Sequence, residues 1–525
     1  TETLEGGASE QLVTTKTYDQ WGNKATVSVV GSDQTRTTTN DYGNDGRYLK
    51  STTNGMSQQS DITGRDPATG QVSSMEDING IGAEVLYDDM GREYLRVDAT
   101  GAWTRTDIGN CPTGISACRY MTTTRISGGG TSAAYYDSLG RTIRTAKVGF
   151  DGTWIYVDTE YDKVGRVKHQ STPYFSNRQP AGWTTTKYDF LGRIKEVTLP
   201  DNSSSESSFN VTSEGMENII TNDLLQTKTE LRNGLGQLLK VTDHLGGTIA
   251  YTYNIKGDLL TTTTDDSPTA TPNVAPVTVT MCYDGLGRKI AMNDPDKGGF
   301  TNAGAANCSQ IQSWASSGSN PPAGWWLYRY NAYGELIWQR DPKTQVTSMT
   351  YDALGRMDYR SSSDESTTWF YDTPLAGASA NSATKGKLTA VISRTTAGKL
   401  AHNSSSCTNS DYCTETTYDE LGRAVGATTH LPDGQDHMTT VDYDSIGRAY
   451  QSADVLQAVF SRSGTQTQFN EYGYAYRTVD IATMNGANSA LSTIRAMNAR
   501  GQVTEELRSN GAITTNSYDE ETGLL

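Results

Sequence analysis

Residues 136–141 read YDSLGR, residues 161–166 read YDKVGR and residues 188–193 read YDFLGR. Tyrosine, aspartate, glycine and arginine are held while two positions drift, which is the spelling of a local folding instruction. Aspartate at the head of a tight turn accepts a hydrogen bond from a backbone N–H two residues on. Glycine three residues later supplies the positive φ that a hairpin loop of this length needs before the chain reverses. The two residues between them are expected to face solvent. Tyrosine closes the incoming strand, burying its ring while its hydroxyl reaches a polar partner or water. Arginine opens the outgoing strand, where its stem covers the next rung or its head pairs with an acid. The hexad predicts a β-hairpin.

The strict pattern occurs eight times. The quoted copies are Tyr136, Asp137, Gly140, Arg141, then Tyr161, Asp162, Gly165, Arg166, then Tyr188, Asp189, Gly192, Arg193. Before them stands Tyr87, Asp88, Gly91, Arg92. After them come Tyr283, Asp284, Gly287, Arg288 and then Tyr351, Asp352, Gly355, Arg356. The last two are Tyr418, Asp419, Gly422, Arg423 and Tyr443, Asp444, Gly447, Arg448. Looser copies fill most gaps: YDQWGN from Tyr18, YNIKGD from Tyr253, YNAYGE from Tyr330, FNEYGY from Phe469 and MNARGQ from Met497. Steps of 21 residues (Tyr330 to Tyr351) and 25 residues (Tyr136 to Tyr161) mark a repeat architecture with small insertions.

A second turn lies between copies, at Asp151-Gly152, at LPDN (199–202) and at LPDG (431–434). Each unit is therefore two strands and two turns. A lone hairpin buries too little to stand, so the units are expected to pair edge to edge, protecting all but the terminal edges. The fold expected is all-β: one continuous array over residues 1–525, coiled by sheet twist into a spiral hollow shell or a two-layer solenoid.

Composition agrees. Hydrophobic residues make up 35% of the chain, beside 52 glycines and 29 tyrosines, which is too few aliphatics for a helical core and too many aromatics for disorder. A net charge of −16 repels nucleic acid and anionic lipid. No apolar run approaches the roughly 20 residues of a membrane span. Cys111–Cys118, Cys282–Cys308 and Cys407–Cys413 bracket loops without zinc-like spacing, which favours disulfides and an oxidising compartment, with free thiols as the other reading. Thr1 opens no leader, and SYDEETGLL stops inside what reads as another repeat, so a piece of a larger protein is expected.

YDxxGR units of this length with LPDG-type return turns resemble the YD repeats of the Rhs family, from about Tyr18 to the C-terminus. That family includes bacterial Rhs polymorphic toxins, toxin-complex B and C subunits, wall-associated proteins and the animal teneurins. The resemblance implies a hollow β-shell that in bacterial members holds a toxic C-terminal segment. It also implies, in those toxins, an aspartyl-protease-like terminus with a DPxGL motif. The nearest strings here, DPATGQ (66–71) and DEETGL (519–524), read as variant turns, so autoproteolysis is not expected of this chain.

No other chemistry is spelled out. His169, His244, His402, His430 and His437 have no metal-ligand spacing, and there is no nucleophile elbow or phosphate loop. No enzyme and no cofactor are expected. Trp103, Trp154, Trp183, Trp325, Trp326 and Trp338 are either cross-strand packing or flat surfaces for sugar rings. Insertions at 299–326, 373–387 and 401–412 are expected to be surface excursions, with recognition as the alternative. The function expected is the wall of a secreted or exported Rhs-type toxin. Its partners would be an effector cargo, the remaining segments of the same polypeptide, and a delivery apparatus. An extracellular adhesion or carbohydrate-binding module, with glycans as partners, is the alternative.

Overall fold

The structure, a computed structural model, describes residues 2–4, 11–115, 117–266, 275–295, 308, 311, 324–375, 383–395, 411–456, 461–481 and 490–525. Over these residues the chain forms 41 strands in one sheet, from Glu2–Leu4 to Ile513–Thr515. Every pairing is antiparallel, and with one exception each strand bonds the strands before and after it in sequence. The exception lies at Trp154–Tyr161, whose first half pairs with Tyr174–Phe175 and whose second half pairs with Val167–Ser171. The first and last strands are each paired on one side, so the sheet is not closed.

Among the described residues each strand makes its principal contacts with the strands it is bonded to and few side chains are buried, so no second sheet layer is seen packed on the ribbon there, unlike the solenoid of two layers. The accessible surface is 29850 Å². A compact chain of 56.9 kDa would expose roughly 18,700 Å². This is a wall one strand thick, and its apolar core is confined to small clusters. One joins Cys282, Ile290, Ala291, Ile311, Trp325 and Leu327; another joins Ala133, Tyr135 and Ala146. Threonine ladders fill much of the remaining surface, as in the hydroxyl bonds Thr17–Thr26 and Thr252–Thr261.

Because the chain is a simple meander, its turns alternate between two rims. One rim carries the Y-D-x-x-G-R turns and the other carries the return turns. The register slips by one residue at the tyrosine of each copy, as at Tyr136, Tyr161, Tyr351 and Tyr443. Such bulges add local right-handed twist, and repeated along the ribbon they give it curvature.

Candidate functional site: the two rims and the seal between them

In the turn at Asp137–Arg141 the Asp137 N–H donates to the Arg141 carbonyl at 3.0 Å, and the Gly140 N–H donates to the Asp137 carbonyl at 3.1 Å. Asp137 Oδ1 accepts from the backbone N–H groups of Leu139 and Arg141, both at 2.9 Å. Its Oδ2 takes Arg141 Nε at 2.8 Å. Gly140 sits at φ 75°, where a Cβ would be strained. The same bonds recur at Asp88–Arg92, Asp162–Arg166, Asp189–Arg193, Asp284–Arg288, Asp352–Arg356, Asp419–Arg423 and Asp444–Arg448. DPATGQ and DEETGL close as turns one residue longer, with Asp66 N–H to Gln71 O and Asp519 N–H to Leu524 O.

Arginine and tyrosine then link one unit to the next. The guanidinium of Arg141 lies over the ring of Tyr161 at 4.6 Å, and the Tyr161 hydroxyl donates to the carbonyl of Thr142 at 2.8 Å. Arg166 and Tyr188 repeat this, as do Arg423 and Tyr443. Phe209 and Phe469 supply a ring alone, beneath Arg193 and Arg448. Tyr136 differs, stacking on Tyr120 with ring centroids 4.7 Å apart.

The loose copies obey a rule of hydrogen-bond polarity that the sequence reading missed. Where aspartate becomes asparagine, arginine becomes an acceptor in four turns, while in FNEYGY Asn470 donates instead to the Phe150 carbonyl and Tyr474 stands at position six. Asn233 Nδ2 donates to Gln237, Asn254 to Asp258, Asn331 to Glu335 and Asn498 to Gln502, at 2.7–2.8 Å. The signal lay in the spelling of those copies: position two and position six change together.

The two rims meet. Tyr333, in the YNAYGE turn, donates its hydroxyl to the carbonyls of Val29 (2.7 Å) and Gln34 (2.8 Å) and lies under the guanidinium of Arg36, which bonds Glu335 at 2.7 Å. Further along, Gln58 donates to Asp372, Asn79 and Lys385 bond each other's amide and backbone groups, and Tyr474 donates to the Val148 carbonyl. In every case a return turn of the first coil sits against a repeat-rim turn about 300 residues later. Thus the turn between the third and fourth strands meets the turn between the twenty-seventh and twenty-eighth. About 24 strands make one turn of the coil, a perimeter near 115 Å at ~4.8 Å per strand.

This overlap corrects the expectation that the two variable residues face solvent. Tyr333, Ile446 and Tyr472, each two residues after the motif's Asp or Asn, are half-buried in the seal. They fit against glycines whose Cβ would collide with them: Gly31 with Tyr333, Gly128 with Ile446 and Gly152 with Tyr472. A groove of about 560 Å³ runs where the second coil's Ala499 and Arg500 overhang the threonine-rich face around Thr122, Thr124 and Thr145.

Elsewhere the sequence-predicted residues are dispersed. Cys111 is bonded to Cys118 and Cys282 to Cys308. Cys413 is disulfide-bonded, and Cys407 lies outside the described residues. Among the described residues no group of three or more His, Cys, Asp or Glu is placed to hold a metal ion. His430 Nδ1 meets Asp436 at 2.6 Å and His169 meets Thr185 at 3.0 Å, while His402 lies outside the described residues. Trp154, Trp325 and Trp338 pack into apolar clusters. Trp183 is edge-on to His169, Trp326 stacks on Tyr328, and Trp103 is exposed.

Parts of the insertions pack onto the sheet and are not simple surface excursions. Ile311, within 299–326, is fully buried and packs with Trp325 on the sheet. The 373–387 stretch contributes Leu375 to a cluster with Ala390, Ile392 and Cys413, and Lys385 to the seal. Of 401–412 only Asp411 and Tyr412 are described, and Asp411 forms a buried ion pair with Arg394. Most of 299–326 and 401–412 lies outside the described residues.

No protein-family model matches the chain, and no curated protein matches it in sequence. Solved structures do match. The structure described as TcdB2-TccC3 superposes with a TM-score of 0.56 at 13% identity, covering 97% of this chain and 28% of that one. TcdB2-TccC3 without its hypervariable C-terminal region gives 0.59 at 12% identity, covering 98% and 30%. The chain thus spans less than a third of the length of these proteins, and it shares their fold.

Proposed function

We propose that this chain is a wall segment of a hollow YD-repeat shell of the Rhs type, exported from a bacterial cell, that encloses an effector segment until delivery. The role is containment, with no catalytic step of its own. The observation that carries the reading is the seal. A ribbon one strand thick, with little core, lays its return rim onto its repeat rim about 24 strands later. A wall of that kind separates an inside from an outside while leaving the inside free for something else. The likeness in fold to TcdB2-TccC3 toxin-complex chains supports the assignment, and paired cysteines suit an oxidising exterior. The net charge of −16 keeps so large a β surface soluble. Electron cryomicroscopy of the protein purified from its producing cell tests the reading. A coiled wall around density that is not wall is expected; a solid rod without an interior overturns it.

A further inference from the structure

Two kinds of polar bond cross the seal. Near its start they join side chains: Arg36 pairs with Glu335 at 2.7 Å, and Gln58 Nε2 donates to Asp372 at 2.9 Å. Further along they reach backbone, with Arg448 donating to the Gly128 carbonyl, Asn470 to the Phe150 carbonyl and Tyr474 to the Val148 carbonyl. Every return turn offers backbone carbonyls, so the second kind does not tell one turn from its neighbour. A repetitive ribbon that slipped by one unit would exchange each such bond for its like.

The side-chain pairs have no like one unit away. Tyr371-Asp372 and Gly386-Lys387 are two halves of one motif copy, with eleven extra residues between Asp and Gly. The copy still closes, with the Asp372 N–H on the Lys387 carbonyl at 3.0 Å and Arg356 over the Tyr371 ring. In a strict copy the carboxylate serves its own turn, as Asp352 accepts from the N–H groups of Leu354 and Arg356 and from Arg356 Nε. Asp372, at φ 69°, presents its carboxylate to the seam, where it takes Gln58 and the outer nitrogens of Arg356. Gln58 is 6% exposed, and its own oxygen accepts from Asn54. Glu335 is equally singular, because the same position in the two adjoining copies is Arg288 and Arg356.

We infer that the pairs Arg36–Glu335 and Gln58–Asp372 set the register of the coil: they select which return turn meets which repeat-rim turn, and with it the girth of the wall. Slipped by one unit either way, Arg36 faces an arginine, and Gln58 faces a strict copy whose carboxylate already serves its own turn. A like-charge contact and a half-buried charge without its partner disfavour the slipped coil, and a buried amide short of an acceptor adds to the cost. The inference rests on the seal and not on what the coil contains.

Pulsed-dipolar distances between spin labels at Thr100→Cys and Ser445→Cys, on the two sides of the seam, test it. With the pairs intact one short distance is expected. Gln58→Glu with Glu335→Gln keeps the bond from each turn's own asparagine, Asn54 and Asn331, and leaves the net charge unchanged. It takes the anion away from Arg36 and sets a second carboxylate against Asp372. This double variant should add a second distance about 10 Å longer, the width of two strands at ~4.8 Å each, with the circular dichroism spectrum unchanged. Adding Asp372→Asn restores a donor opposite residue 58 and should return the population to the short distance. A folded double variant that keeps the short distance alone overturns the inference. So does one that loses every short distance, because the pairs would then hold the seal without choosing its register.

Discussion

Arg141 serves two neighbours at once: its Nε bonds Asp137 at 2.8 Å within its own turn, and its guanidinium plane covers Tyr161 in the next unit at 4.6 Å. One side chain thus closes a turn and spaces the following one, which explains why the motif holds Arg and Tyr together although they sit at opposite ends of the hexad.

The polarity rule gives a swap. Asp137→Asn alone turns an amide donor toward a guanidinium donor and should cost about 1–2 kcal/mol of local stability. Asp137→Asn combined with Arg141→Gln recreates the pairing found at Asn233–Gln237 and should recover most of that loss. What remains is the stacking on Tyr161, about 0.5–1 kcal/mol at an exposed site. Hydrogen exchange of peptides spanning 132–146 reads the cycle. Additive losses in the double variant would show that the two positions are independent.

The turn carboxylates set an acid limit. For Asp162 the Arg166 backbone N–H is the main cause holding the carboxyl below its ordinary value, and for Asp88 it is the Arg92 guanidinium. At Asp137, Asp189 and Asp444 burial pushes upward, but backbone N–H groups and the paired arginine outweigh it, and the net shift is again downward. A group depressed in the folded state contributes stability that is whole above its unfolded value and is lost as pH falls through the folded one. Stability should therefore hold from neutral pH down to the region of 3.8 and fall below it. Thermal midpoints measured against pH at fixed ionic strength check this; a loss centred near pH 6 would implicate histidines instead.

The strand-and-turn rhythm was legible because each hexad is self-contained: Asp137, Gly140 and Arg141 meet one another within six residues. Asparagine and its acceptor partner were visible in YNIKGD and MNARGQ and went unread. The coil was not legible. It depends on Tyr333 finding Val29 and Gln34, and on Ile446 finding Gly128, pairs about 300 residues apart with no local signature. Those knobs occupy the second of the motif's two unfixed positions, and they resemble exposed turn residues because in the first coil they are exposed.

Gly31 isolates the seal. Its space is limited by Tyr333 across the coil, whose Cε2 would lie 2.7 Å from an added Cβ. Gly31→Leu should cost about 1–3 kcal/mol and raise hydrogen exchange around residue 333 as well as around residue 31. Tyr333→Ala in the same chain should remove part of the overpacking. A disturbance confined to residues near 31 would argue against the seal.

The Cys282–Cys308 bridge closes a separation of 26 residues beside a cluster in which Ile311 is fully buried. Chain-entropy arguments assign such a link about 3.5 kcal/mol. Cys308→Ser should lower the thermal midpoint and raise exchange across Lys289–Asn293. An unchanged midpoint would show that the cluster holds without the bridge.

Coiling itself is read by one distance. Thr100, in the turn after the ninth strand, lies beside Gly447, in the turn after the thirty-fifth. Spin labels at Thr100→Cys and Ser445→Cys should report a separation scarcely longer than their own tethers. A ribbon that stays open would hold them about 120 Å apart at ~4.8 Å per strand, and the absence of any short distance in that pulsed-dipolar measurement would contradict the coiled wall.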